Sequence, residues 1–177
     1  RPGDVIVGIS SNGIHSNGLS LARRALFELA DYQAGSHVEA LGHSVGEELL
    51  RPTYIYVAEA LDILARVKDI GALIHITGDG FLNLCRVKAD VGFIIDDLPQ
   101  TPALFPLIQD ITGSDNMEMY HVFNMGIGFC LVVRPGDADQ VIDIVRGHGK
   151  ACQRIGYVTD GPKGSVKIEP AGIEMTR

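Results

Sequence analysis

Residues 5–30 read VIVGISSNGIHSNGLSLARRALFELA, and the residue spacing changes twice along them. Val5 to Ile9 is a short apolar run rich in β-branched side chains, which suits a buried strand. Ser10-Ser11-Asn12-Gly13-Ile14-His15-Ser16-Asn17-Gly18 then carries two Asn-Gly pairs, residues that tolerate turn backbone. From Leu19 the pattern is helical, with Leu19, Ala22, Leu26 and Leu29 on one side up to Ala30, and Ser16 or Asn17 placed to cap. Strand, glycine-rich loop and helix in that order imply a sheet with helices laid against it.

The same order recurs further along the chain. Ala72 to Ile76 predicts a buried strand, Thr77-Gly78-Asp79-Gly80 a break, and Phe81 to Val87 a short helix. Between the two units, residues 31–50 are mixed, with a helical pattern near Val45 to Leu50. Pro52-Thr53 starts a helix whose apolar face is Ile55, Ala58, Leu61 and Ala65. Val91 to Ile95 predicts a strand, Thr101-Pro102 a helix start, Gly113 to Asn116 a turn, and Phe129 to Val133 a strongly apolar strand. Asp137 is placed to cap a helix through Val141, Ile142 and Val145 that ends at Gly147 or Gly149. Arg154 to Thr159 and Val166 to Glu169, joined by Asp160-Gly161-Pro162-Lys163-Gly164, predict a terminal hairpin, which rules out an all-parallel sheet. The expected fold class is α+β: a mixed central β-sheet with helices packed on its faces, in α/β/α layers.

A chain of 177 residues is long enough to bury one sizeable core. With 46% apolar and 21% charged residues, disordered, collagen-like and coiled-coil readings drop out. The net charge of −7 and the lack of a basic cluster argue against a nucleic-acid or anionic-membrane surface. Small anions stay open, because loops with free backbone N–H groups bind them without net positive charge. Three cysteines, Cys85, Cys130 and Cys152, have no C-x-x-C spacing and an odd count, so a reduced, cytoplasmic protein is expected. No signal or membrane span is expected. The start at Arg1, two residues before Gly3-Asp4 and a strand, suggests a chain cut at a domain boundary.

Three segments carry polar groups at strand ends. Residues 10–18 place hydroxyls, carboxamides and His15 opposite the free N–H groups of a helix start, which suits a phosphate or carboxylate and equally an ordinary capped turn. His75-Ile76-Thr77-Gly78-Asp79-Gly80-Phe81 is similar; His75 there is a ligand contact or a core histidine, and Asp79 a metal ligand, a hydroxyl acceptor or a turn residue. In Glu118-Met119-Tyr120-His121-Val122-Phe123-Asn124-Met125-Gly126-Ile127-Gly128, Asn124 needs partners if buried, and a ligand could supply them. Metal ligation by His15, His75, His121, Asp79 and Cys85 lacks the close spacing of zinc sites, so no metal ligands are assigned. Neither a G-x-S-x-G elbow nor a Walker A or G-x-G-x-x-G loop is present.

Together and in this order, Gly3-Asp4 through the S-S-N-G-I-H-S-N-G loop to Leu21, Arg51-Pro52-Thr53-Tyr54-Ile55-Tyr56-Val57, His75-Ile76-Thr77-Gly78 and Glu118 to Gly128 resemble the carboxyl-terminal domain of the phosphoribosylformylglycinamidine cyclo-ligase (aminoimidazole ribonucleotide synthetase) family. The resemblance implies an ATP-dependent ring closure in purine biosynthesis, converting formylglycinamidine ribonucleotide to aminoimidazole ribonucleotide with release of ADP and phosphate. It implies that residues 1–177 are the substrate-groove domain. An amino-terminal domain outside this chain would then supply the homodimer interface and most contacts to ATP and Mg²⁺. By the same likeness His15 and His75 are candidate catalytic residues, and Ser11, Ser16, Asn17, Gly18, Thr77, Gly78 and Asn124 candidate substrate or phosphate contacts. One departure stands out: relatives commonly read I-T-G-G-G-F followed by E-N, whereas Asp79 here replaces a glycine and a residue is lost before Asn83. That leaves room for a divergent member, similar to selenophosphate synthetase or thiamine monophosphate kinase, or for a phosphorylated-ligand binding module without catalysis.

Overall fold

The computed structural model describes residues 1–177. Strand β1 (Val5–Ser10) is followed by α1 (Leu19–Arg23), which widens into a π-helical turn over Arg24–Leu29. Then come a small ribbon of β2 (His37–Val38) and β3 (His43–Ser44), α2 (Val45–Leu49), α3 (Val57–Arg66) and β4 (Ile70–His75). A 3₁₀ segment (Gly80–Arg86), β5 (Gly92–Ile95), α4 (Leu104–Thr112), α5 (Asn116–Val122), β6 (Ile127–Val133) and α6 (Ala138–Gly147) follow. The chain ends in β7 (Cys152–Thr159), β8 (Ser165–Ile168) and β9 (Ile173–Thr176).

Seven strands form one sheet in the order β4-β6-β1-β7-β5-β8-β9. All neighbours are antiparallel except β5 and β8, so the sheet is mixed, as the fold class requires. β1 lies third from one edge and is buried on both faces, which is why its sequence is continuously apolar rather than alternating. Ile6, Cys130 and Val132 point to a core shared with Ala22, Leu26, Phe81, Phe105 and Tyr120. Val5, Val7, Ile9, Leu131 and Val133 point the other way, onto Ile63 of α3 and Val141 and Val145 of α6. Helices therefore cover both faces, giving the expected three layers.

Several local expectations are corrected. Neither Ser16 nor Asn17 caps α1; Gly18 occupies the cap position at φ 67° and no side chain accepts there. Gly18 has a second reason to be glycine, since a Cβ would run into the ring of Phe123. The helix expected from Pro52 starts only at Val57, because residues 51–56 form an irregular segment tied to the first loop: Asn12 Nδ2 donates to the Pro52 carbonyl (2.7 Å) and Tyr56 Oη to the Ser10 carbonyl (2.9 Å). The apolar face read from the sequence, Ile55, Ala58, Leu61 and Ala65, is exposed, and α3 turns Glu59 and Ile63 inward. Asp137 stands at the start of α6 without making a side-chain cap bond. The expected hairpin is not one: β5 lies between β7 and β8, and β8 turns back on β9, a strand absent from the sequence reading. Helix α5 was also missed, in a segment read only as the approach to a strand.

Candidate functional site

The loop after β1 is held from beneath by Asn124. That side chain is fully buried; its Nδ2 donates to the carbonyls of Gly13 (2.9 Å) and Ile14 (3.3 Å), and its Oδ1 accepts from Ser11 Oγ (2.9 Å) and Gly126 N (2.8 Å). A carboxamide offers two N–H donors and one oxygen, all engaged here, so Asn124 shapes the loop and has no group left to turn toward a ligand. The loop after β4 has a matching pin that the sequence reading did not single out. Buried Asn83 donates to the carbonyls of Gly78 (2.9 Å) and Gly80 (2.6 Å) and accepts from Thr77 Oγ1 (3.0 Å). A carboxamide inside an apolar segment was the available signal.

The two loops meet. Asn17 Nδ2 donates to the Ile76 carbonyl at 3.3 Å, joining residues 59 apart in sequence. Tyr56 sits between the histidines, its ring centroid 6.2 Å from that of His15 and 5.8 Å from that of His75. Gly128 makes room for this group, since a Cβ there would overlap the Tyr56 hydroxyl. Burial, then the charge of Glu59, pushes the Tyr56 phenol up, so it stays a donor to Ser10.

His15 is anomalous in two independent ways. Its backbone is left-handed (φ 57°), which a non-glycine residue rarely adopts, and its Nδ1 is buried with no partner. Burial, then the nearby His75, pushes its pKa down to about 4, so the imidazole is neutral at pH 7. His75 is exposed, and its pKa too is lowered by burial of part of the ring. Ser16 is exposed, with Oγ 3.4 Å from Thr53 Oγ1; Gly78 is exposed with open space where a side chain would be; Thr77 and Gly18 are partly covered. The sequence candidates thus gather at one end of the sheet, apart from Asn124 beneath them.

Asp79 raised the question of a carboxylate in a loop suited to anions. Its side chain turns aside to Arg86, Oδ2 accepting from Nη2 at 2.8 Å, and the ion pair leaves the Gly78 backbone uncovered. Two more cations border the site. Arg51 Nη1 donates to the Asn12 carbonyl (3.4 Å), and Lys150 lies 2.8 Å from Glu59 Oε1 and 5.5 Å from the Tyr54 ring centre. Glu59 is fully buried and makes no well-aligned hydrogen bond, so Lys150 is what neutralises it. Each of these cations is matched by a carboxylate, Arg86 by Asp79, Lys150 by Glu59 and Arg51 by the buried Glu48 (3.2 Å), so they border the site as ion pairs and not as free positive charge.

His75 borders two hollows. One, of about 460 Å³, runs along the open edge of β4 past Thr77, Asn83 and Arg86. The other, of about 300 Å³, is walled by Tyr54, Tyr56, Val57, Ala60 and Phe129. The largest hollow, about 680 Å³ by Asp62, Arg66 and His148, contains none of the loop residues. His15, His75, His121, Asp79 and Cys85 do not assemble, and no three His, Cys, Asp or Glu side chains gather where a metal ion would sit. Burial raises the thiols, Cys85 to about 11, away from nucleophilic thiolate.

Solved structures with this architecture include E. coli HypE, a hydrogenase maturation protein (TM-score 0.62, 18% identity, all of this chain and 49% of that one). Another is thiamine-monophosphate kinase from Stenotrophomonas maltophilia (TM-score 0.63, 21% identity, 98% of this chain and 52% of that one). At such identities the likeness defines the fold alone: an α+β domain of this architecture. Sequence carries it further. Residues 1–169 match the family described as AIR synthase related protein, C-terminal domain, and the chain belongs to that family. It is 46% identical over 159 residues to phosphoribosylformylglycinamidine cyclo-ligase of Methanothermobacter thermautotrophicus, covering 90% of this chain and 46% of that protein. To the same enzyme of Methanobrevibacter smithii it is 46% identical over 174 residues, covering 98% of this chain and 50% of that protein. The chain spans about half the length of these curated relatives.

Proposed function

We propose that this chain is the substrate-groove half of an ATP-dependent cyclo-ligase that closes the imidazole ring of aminoimidazole ribonucleotide. The observation that carries the reading is the junction of the two strand-end loops through Asn17 and the Ile76 carbonyl, with both histidines flanking Tyr56. The relatives named above, at 46% identity, support the choice of reaction.

In this reading the backbone of Ser16, Gly18, Thr77 and Gly78 and the Ser16 hydroxyl hold the phosphate and ribose of formylglycinamidine ribonucleotide, while the Ser11 and Thr77 hydroxyls, which donate to Asn124 and Asn83, and Asn17, which donates to the Ile76 carbonyl, shape the loops. Open N–H groups at loop tips suit anions without a bulky cation. Asn124 and Asn83 keep both loops in the binding geometry, which is where most of the rate of such a reaction arises. ATP supplies a phosphoryl group that makes the amide oxygen a leaving group; the amine nitrogen then attacks the same carbon, phosphate departs and one proton is lost. His15 and His75, neutral near pH 7, are the groups able to accept a hydrogen bond or a proton from that nitrogen. The carboxylates here do not form a magnesium centre, so no step through the metal is assigned to these residues.

Mg²⁺, a homodimer and a cytoplasmic location come with the family resemblance alone; no helix here is long and apolar enough to cross a membrane. The remaining half of the enzyme, as long again in the relatives, is proposed to cover the outer face of α3. Ile55, Val57, Leu61 and Leu64 are 52 to 76% exposed there, at a spacing that makes one apolar stripe beside the Tyr54 hollow. The deciding experiment gives formylglycinamidine ribonucleotide and ATP to the full-length protein and follows the aminoimidazole product. Absence of product refutes the reading. Residues 1–177 alone are expected to show no turnover.

A further inference from the structure

We infer that Asn12 is a positioning residue that holds His15 in the tautomer protonated on Nε2, so that Nδ1 stands as a fixed acceptor for a ligand N–H or O–H. This rests on the site proposed above and assigns its parts more narrowly.

The assignment follows from donors and acceptors. The Pro52 carbonyl can only accept, so the end of the Asn12 side chain 2.7 Å from it is the NH₂ group. The other end, Oδ1, then faces His15 Nε2 at 2.9 Å. That oxygen cannot donate, so Nε2 carries the proton. The Asn12 backbone N–H also approaches Nε2, but at 3.4 Å. If Nε2 were unprotonated to receive it, two lone pairs would face each other across the shorter 2.9 Å contact. A neutral imidazole has one N–H, and the hydrogen bond at one nitrogen decides the state of the other. Nδ1 is therefore a bare acceptor, buried and unpaired in the protein. Asn12 is itself held from the far side, where Arg51 Nη1 reaches its carbonyl at 3.4 Å.

A consequence follows for what His15 can recognise. Phosphate oxygens at neutral pH accept hydrogen bonds, and so does Nδ1; the two do not pair. His15 can thus take only an amine, amidine or hydroxyl hydrogen from a ligand that displaces the cover over its buried Nδ1, and the phosphate is left to the loop N–H groups and the Ser16 hydroxyl. For a ribonucleotide bearing an amidine at one end and a phosphate at the other, this sets the direction in which it lies along the loop.

The test is a long-range ¹H–¹⁵N spectrum of the ¹⁵N-labelled 177-residue chain at pH 7, with His15 assigned by its loss in His15→Asn. The expected pattern is an unprotonated Nδ1 and a hydrogen-bonded, slowly exchanging Nε2–H. In Asn12→Ala that proton should exchange too fast to observe and both nitrogens should shift toward the tautomer average. Asn12→Asp, which keeps an oxygen at the same place, should retain the Nε2 proton. A proton on Nδ1 in the wild type, or an Asn12→Ala spectrum that overlays the wild type, overturns the inference. The wild-type spectrum and Asn12→Asp decide the matter if Asn12→Ala does not fold. Failure here with ring closure intact would leave the functional proposal standing, and failure of ring closure would not alter this spectrum.

Discussion

Replacing Asn124 by Ala separates a structural pin from a ligand contact. The substitution deletes bonds to Gly13 O, Ile14 O, Gly126 N and Ser11 Oγ at a position with no exposed surface. Ser11 is partly exposed and its hydroxyl can turn to water, and the Ile14 bond is long at 3.3 Å. The Gly13 carbonyl and the Gly126 N–H are left buried without partners, at roughly 1–3 kcal/mol each. The expected loss is about 3 kcal/mol. With a urea slope of roughly 2 kcal/mol/M for a chain of this size, the unfolding midpoint of the 177-residue chain should fall by about 1.5 M. Asn17→Ala is the control, since its single, partly buried bond of 3.3 Å contributes about 0.5 kcal/mol. If Asn124→Ala lowers the midpoint by less than about 0.5 M, in the range of roughly 1 kcal/mol, while abolishing activity of the full-length enzyme, the side chain reaches the ligand and the pin argument is wrong.

Stability of the 177-residue chain should decline on acidification because of His15. Its pKa is lowered from 6.5 to about 4 in the folded state, so the unfolded chain binds more protons between those values and stability drops as pH falls through them. Urea titrations at pH 7.5 and 5 should show this, and His15→Asn, which tolerates left-handed backbone, should flatten that part of the profile; an unchanged profile refutes the assignment. Asp79→Gly should leave stability unchanged or raise it by about 0.5 kcal/mol, because glycine adopts φ 76° freely and an exposed ion pair to Arg86 contributes little. A loss above about 1 kcal/mol would mean the pair matters more than the backbone. The double change Leu61→Ser and Leu64→Ser should barely move the melting temperature of the 177-residue chain, since both side chains are more than half exposed, yet it should weaken assembly with the amino-terminal half supplied separately. Unimpaired assembly would place that half elsewhere.

What was legible in the sequence is what short-range chemistry decides. β1 and β4 are apolar runs closed by Ser-Asn-Gly and Thr-Gly stretches, β6 is an apolar run closed by Arg134-Pro135, and the strands fall within a residue or two of where those runs lie. Where a long-range partner decides, the reading failed. β7 and β8 have a turn of the right composition between them, but β5 intrudes and takes a side of each, a pairing no local signal announces. Helix α3 departs for a more telling reason: its apolar stripe is the face that amphipathicity alone would turn inward. The inward face instead carries Glu59, neutralised by Lys150 from ninety-one positions away, and the stripe faces out. The candidate site divides the same way. Its loops were visible as glycine, asparagine and hydroxyl residues at strand ends, whereas the carboxamides that hold them, Asn124 and Asn83, are recognisable as supports only once their burial is known. A polar side chain within an apolar stretch has two explanations, a ligand or a backbone in need of a partner. Here the backbone of each glycine loop supplies that need, because loops free of regular hydrogen bonds must be held from behind by something else.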